Sequence, residues 1–235
     1  ITKNSLLPAI TSNNEHYTLE GAVYGVYSDE GCTNLLGSLT LDVSGSATID
    51  GFPVGCVYVK ETSAPKGFLL DPTVHTVEIK NQEESTLAVT DTPIGGFNLR
   101  ISKQDFDRSD NLDEGNQAEQ QGASPQGNAT LQGALFKVTY SGSAETTLRT
   151  WVFSTDAQGF ISFDTDHKVS GDDLFTLGEK PWLPLGYYQI EEIKAPEGYK
   201  LPEHSLQTWK LSNQNGNLIW TNLSSGKENS SSEHS

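Results

Sequence analysis

Three polar residues of the kinds that can condense into an amide recur twice in this chain, in the same order. Lys3, Glu61 and Asp91 form the first set, and Lys103, Glu192 and Asn222 the second. Glu61 precedes Asp91 by 30 residues, and Glu192 precedes Asn222 by 30 as well. A neutral lysine amine is a nucleophile. A protonated glutamate can polarise a neighbouring carboxyl or carboxamide and carry the proton to the leaving group. The product would be an amide between two side chains, with loss of water from Asp91 or of ammonia from Asn222. Proximity in a folded core removes the entropic barrier that stops this reaction in free solution. An apolar site is expected to lower the lysine pKa and raise that of the glutamate. The competing reading is a surface ion pair beside a strand-end polar residue, which contributes little. The recurrence of the whole set weighs against it.

The elements that must position these residues also recur. Residues 55–67 read GCVYVKETSAPKG and residues 186–198 read GYYQIEEIKAPEG, aligned without a gap at an offset of 131. Upstream, Leu19-Glu20-Gly21-Ala22-Val23-Tyr24 matches Leu131-Gln132-Gly133-Ala134-Leu135-Phe136. Between these motifs lie TLDVSGSATI and STDAQGFISF, each reading as two strands around a glycine turn. Each copy ends on an alternating strand that closes on Asp91 or Asn222. The Gly-x-x-x-x-x-Glu segment reads as a central strand, and the following Ala-Pro-x-Gly-aromatic as a turn. Alternation and register place Glu192 inward and Glu191 outward.

The chain therefore reads as all-β: two tandem Ig-like antiparallel β-sandwich modules, residues 1–93 and 97–224. Pro93-Ile94-Gly95-Gly96 is expected as a short linker. The second module carries an insert at about 104–130, and residues 225–235 form a polar tail expected to be disordered.

Composition narrows the function. Hydrophobic residues make up 34%, and Gly 22 and Pro 10 suit many short strands joined by turns. A net charge of −16 disfavours nucleic acid and anionic lipid as partners. No apolar run is long enough to cross a membrane. The absence of any methionine marks a processed product or an excised piece. No GxSxG or HExxH motif supports hydrolase chemistry, so no enzyme activity is expected beyond the self-condensation. Cys32 and Cys56 lie in no CxxC or zinc pattern; a disulfide between them and two buried thiols remain alternative readings. The acidic run Asp105, Asp107, Asp110, Asp113 and Glu114 lacks calcium-loop spacing and reads as a solvated loop. No metal or other cofactor is expected. Trp151, Trp182, Trp209 and Trp220 read as core and strand residues rather than a sugar platform.

The pieces ITK and ISK, LxGAx(Y/F), GCVYVKETSAPKGF and GYYQIEEIKAPEGY, with the closing VTD and WTN, resemble Cna-B modules. These are Ig-like, prealbumin-type sandwiches of Gram-positive surface adhesins and pilins. The resemblance spans nearly all of 1–93 and 97–224. It implies spontaneous isopeptide bonds, Lys3 to Asp91 catalysed by Glu61 and Lys103 to Asn222 catalysed by Glu192. It also implies an extracellular, cell-wall anchored stalk or shaft of a surface protein or pilus. Its partners would be neighbouring modules or pilus subunits. A ligand-binding adhesin head for a host matrix protein or glycan, and an accessory module of a secreted enzyme, are the alternatives. No LPxTG sorting motif or pilin linking-lysine motif is present in this sequence.

Overall fold

The computed structural model describes residues 1–97, 99–103, 130–143, 146–224 and 228–230. The insert at 104–129, with its acidic run, lies outside the described residues. The chain divides into two compact units, Ile1–Ile94 and Gly95–Ser235. Both are built almost wholly of strands, with one four-residue helix, α1 (Pro8–Thr11), among the described residues.

In the first unit, β1 (Thr2–Ser5) precedes α1, and β2 (Val23–Tyr27), β3 (Leu35–Thr40), β4 (Gly55–Ser63), β5 (Val74–Ile79) and β6 (Ala88–Asp91) follow it. Four of these form a sheet in the order β3-β2-β4-β5. The pairings β2–β3, β2–β4 and β4–β5 are antiparallel. The chain then leaves that sheet through residues 80–87, and β6 lies parallel to β1, Lys3 opposite Val89 and Ser5 opposite Asp91. Alternation along β4 sends Val57, Val59 and Glu61 inward. The apolar pair joins Tyr24, Val26, Leu39, Leu41 and Val89 in one core.

In the second unit, β7 (Gly95–Gly96), β8 (Arg100–Ser102), β9 (Leu135–Ser143), β10 (Thr146–Ser154), β11 (Phe160–Ser162) and β12 (Lys168–Gly171) come first. The short strands β13 (Thr176–Leu177), β14 (Lys180–Pro181) and β15 (Leu183–Pro184) follow. The long strands β16 (Gly186–Lys194), β17 (Gln207–Gln214) and β18 (Asn217–Asn222) come next, then β19 (Glu228–Ser230). One sheet runs β12-β10-β9-β16-β17-β18-β19, and β8 pairs with β11 outside it. Trp151 and Trp182 are completely buried in this unit, beside Tyr140, Phe153, Tyr188 and Leu211.

Three sequence expectations change. The segment read as a linker is built into the units themselves. Pro93 bridges to Phe68 and the Ile94 N–H donates to Gly67 O in the first unit, whereas Gly95–Gly96 pairs with Leu183–Pro184 in the second. A Cβ on Gly95 would lie 2.3 Å from the Trp182 ring, so the close approach needs glycine there. The polar tail supplies β19, whose pairing with Ile219–Thr221 uses backbone groups and so needs no apolar side chain. Cys32 and Cys56 are free thiols, correcting both alternatives. Cys56 is exposed at the start of β4, and Cys32 is half-buried in the β2–β3 loop at φ 51°.

Candidate functional site

The lysine strand is seated the same way in both units. After β3, Asp42 Oδ1 accepts from the N–H groups of Ser44 and Ser46, and the Gly45 N–H donates back to Asp42 O. In the second unit, Asp156 Oδ1 accepts from Gln158 and Phe160, and the Gly159 N–H donates to Asp156 O. Each aspartate thus closes its own turn, the competence that makes Asp a turn residue. The turn glycine, at φ 74° in one unit and 82° in the other, then takes the lysine backbone. Lys3 N–H donates to Gly45 O and Lys103 N–H to Gly159 O, both at 2.8 Å.

In the first unit this places the Lys3 side chain, fully buried, among three partners. Its Nζ donates to Glu61 Oε1, lies 2.5 Å from Asp91 Oδ2, and donates to the Tyr24 hydroxyl at 2.9 Å. The opposite oxygen of Glu61, Oε2, accepts from the Asp71 backbone N–H at 2.8 Å. β1 carries the nucleophile, β4 the glutamate and β6 the aspartate. Glu61 reaches across from the four-stranded sheet to the parallel β1–β6 pair.

The electrostatics differ from the sequence expectation at the lysine. Desolvation works to lower the Lys3 pKa, but the hydrogen bonds to Asp91, Glu61 and Tyr24 outweigh it and hold the pKa above the usual lysine range. Burial raises the Asp91 pKa, against the opposing pull of Lys3. Burial also pushes the Tyr24 phenol up to about 12. The site therefore holds a salt-bridged ammonium, with a carboxyl inclined to take up a proton directly beside it. Transfer of one proton from Lys3 to Asp91 gives the amine and acid that condensation needs, without bringing charge in from water.

In the second unit Lys103 Nζ donates to Glu192 Oε2 at 2.9 Å. Glu192 is buried, and its Oε1 has no hydrogen-bond partner among the described residues. The register explains why. The position 131 residues beyond Asp71 is Pro202, which has no N–H to donate. At the position of Tyr24 stands Phe136, so no hydroxyl faces Lys103 there.

The strand that carries Asn222 is placed differently from the one that carries Asp91. β18 lies beside β17 in the sheet that also contains β16, with Asn222 opposite Trp209. The Asn222 amide donates to Gln207 Oε1 at 3.4 Å, and its Oδ1 accepts from the Ser224 N–H. The cause is local. Asn215 and Gly216, at φ 52° and 88°, form a two-residue turn between β17 and β18. Positive φ at both central residues is the geometry whose twist keeps two strands antiparallel and adjacent. The first unit has the longer segment 80–87 at this point, and its last strand crosses to β1.

Sequence reasoning missed Tyr24, Asp71 and the seat of β18. The Tyr24–Phe136 and Asp71–Pro202 differences were visible in the repeat alignment, and Asn215-Gly216 is a strong hairpin signal.

Comparison with known proteins gives the fold a family. The model of the SpaA prealbumin-like fold domain matches residues 10–93 and 122–227. No curated protein is a significant match. Among solved structures, the Bacillus anthracis TIE protein aligns at TM-score 0.58 and 23% identity, over 91% of this chain and 31% of its own. The C-terminal fragment of the pilus adhesin SpaC from Lactobacillus rhamnosus GG aligns at TM-score 0.43 and 14% identity, covering 93% of this chain and 90% of its own. BcpA, the major pilin subunit of Bacillus cereus, aligns at TM-score 0.31 and 14% identity over 95% and 94%. This chain thus spans about a third of the length of the first of these structures. The family match covers most of the sequence in two successive segments, and the chain belongs to the family of SpaA prealbumin-like fold domains.

Proposed function

We propose that this chain is a load-bearing segment of a Gram-positive cell-surface protein or pilus, extracellular and structural rather than enzymatic. Its first unit is closed by an isopeptide bond between Lys3 and Asp91. The observation that carries the reading is the burial of the Lys3 ammonium between Glu61 and Asp91. Bringing three ionisable side chains into an apolar core is costly, and an ion pair so placed contributes little to stability by comparison with apolar packing. Covalent closure gives the arrangement a purpose.

The step balances without a cofactor. Lys3 first passes one ammonium proton to the Asp91 carboxylate. The neutral Nζ then attacks Cγ of the Asp91 acid, and Glu61 takes a second proton from the nitrogen and delivers it to the departing hydroxyl. One C–N bond forms, one C–O bond breaks, and water leaves. Tyr24 holds Nζ from the other side, and the Asp71 N–H fixes the Glu61 carboxylate.

The bond would tie β1 to β6, the first and last strands of the unit. Tension entering near Ile1 and leaving near Ile94 would then run through the amide, leaving the residues between Lys3 and Asp91 unloaded. This suits a stalk better than a binding head. The test is peptide mapping of the reduced, digested protein by tandem mass spectrometry. A branched peptide joining Lys3 to Asp91 is expected. Recovery of both residues only in linear peptides would contradict the proposal.

A further inference from the structure

Among the described residues, the second unit has the lysine and the glutamate but no strand where the first unit keeps its last one. β1 is flanked by β6, the Thr2 N–H donating to Leu87 O and the Leu6 N–H to Asp91 O. Its counterpart β8 pairs only with β11 among the described residues. Beside β8 opens a cavity of about 640 Å³. Its walls include Lys103, Glu192, Phe136, Ile190, Trp209 and Trp220. The first four are the repeat counterparts of Lys3, Glu61, Tyr24 and Val59. Of these counterparts, Tyr24 and Val59 share a core with Val89 of β6, and Lys3 and Glu61 form the site with its Asp91. The cavity is thus the seat of a strand. Glu192 lines this cavity, and its buried Oε1 has no donor among the described residues.

We propose that the second unit is an acceptor for an extended strand from a partner polypeptide, and that Lys103 joins that strand covalently. The occupant is defined by what fills the same seat in the first unit: an apolar side chain, as Val89, then two residues later an inward Asp or Asn, as Asp91. The apolar residue enters between Phe136, Ile190 and the two tryptophans, and strand addition supplies β8 with backbone partners. Lys103 Nζ then attacks the side-chain carbonyl carbon of the Asp or Asn. Glu192 takes the amine proton and delivers it to the leaving group, releasing water from Asp or ammonia from Asn. Asn222, held in its hairpin beside β17, does not compete for the seat.

This inference rests on the chemistry proposed for the first unit, and its test separates the two. The full chain is incubated with excess synthetic peptide of residues 86–92 of this sequence (TLAVTDT), denatured, and weighed intact. The expected result is a gain equal to the peptide less about 18 Da for the lost water, located on Lys103 by peptide mapping. Lys103→Arg should abolish the adduct. Glu192→Gln should still bind the peptide, by a fluorescence change of Trp209 and Trp220, but leave it unlinked. A peptide with its aspartate replaced by alanine should bind in the same unlinked way. Circular dichroism of each variant establishes that it is folded. No adduct from the folded wild-type chain, or an adduct on another lysine, would overturn the proposal. So would a bond from Lys103 to Asn222 within the chain, which fills the seat internally. A chain that carries the Lys3–Asp91 bond but takes no peptide refutes this inference alone. A chain with neither refutes both.

Discussion

The two units share a sequence pattern down to the spacing between glutamate and last polar residue, yet they differ in the one strand that decides what the site can do. In the first unit the chain after β5 runs through residues 80–87 and crosses to lie along β1, so Asp91 meets Lys3. In the second, Asn215-Gly216 turns the chain back at once, and Asn222 remains beside β17. The same 30-residue interval thus leads to two places. Spacing along a chain limits reach, but turn type sets direction, and a two-residue turn with both φ positive keeps its strands adjacent.

The surroundings of the lysine have diverged in step with the strand. Where Lys3 has Tyr24, Glu61 and Asp91, Lys103 has Glu192. Where Glu61 has the Asp71 N–H, Glu192 has a proline. Among the described residues, the first unit gathers lysine, glutamate and aspartate together, and the second gathers lysine and glutamate.

Breaking the comparison at its strongest point means removing the glutamates. Glu61→Ala is expected to leave Lys3 and Asp91 unlinked, restoring the full sequence mass. It should also release a constraint of about 4–5 kcal/mol on the unfolded chain, if a cross-link of this span follows the loop-closure estimate for disulfides. Calorimetry and mass read the two effects on one sample. Glu192→Ala is expected to leave the intact mass deficit of the isolated protein unchanged.

A smaller change sharpens the contrast at the hydroxyl. Tyr24→Phe gives the first unit the residue of the second. The Tyr24 hydroxyl stabilises the ammonium, the unreactive form of Lys3, through a hydrogen bond to a charged group that contributes about 1.5–3 kcal/mol, so its loss should speed bond formation while leaving the final product the same. The course of mass loss in freshly translated protein, followed before the bond has formed, checks this. An unchanged rate would remove Tyr24 from the account.

The smallest effect is expected where the units agree. Gly45→Ala and Gly159→Ala each place a Cβ at positive φ, 2.9 Å from Lys3 O in one unit and 3.2 Å from Lys103 O in the other. Each should cost about 1–2 kcal/mol from the left-handed backbone alone, with similar shifts in the melting of the two units. A large asymmetry would show that the lysine strands are not seated alike.

Much of this was legible in the sequence. The repeat, the all-β class, and the convergence of Lys3, Glu61 and Asp91 follow from alternation and from motifs at a constant offset. The reach of Lys103 to Glu192 follows from the same register. The seat of β18 did not follow, because the register argument was allowed to outweigh the local turn chemistry of Asn215-Gly216. The raised lysine pKa was missed for a different reason. Burial alone argues for a lowered value, and only the positions of two carboxylates and a phenol around Nζ reverse the sign. The sequence left the state of Cys32 and Cys56 open, because two cysteines without spacing information carry no geometry.

The most direct measurement of the central claim is the mass of the intact protein, denatured and reduced. One internal bond, Lys3 to Asp91, predicts a mass about 18 Da below that of the sequence, the water lost in condensation. The full sequence mass would contradict the account of the first unit. A deficit of about 35 Da, water and ammonia together, would contradict the account of the second by showing that Lys103 had closed on Asn222.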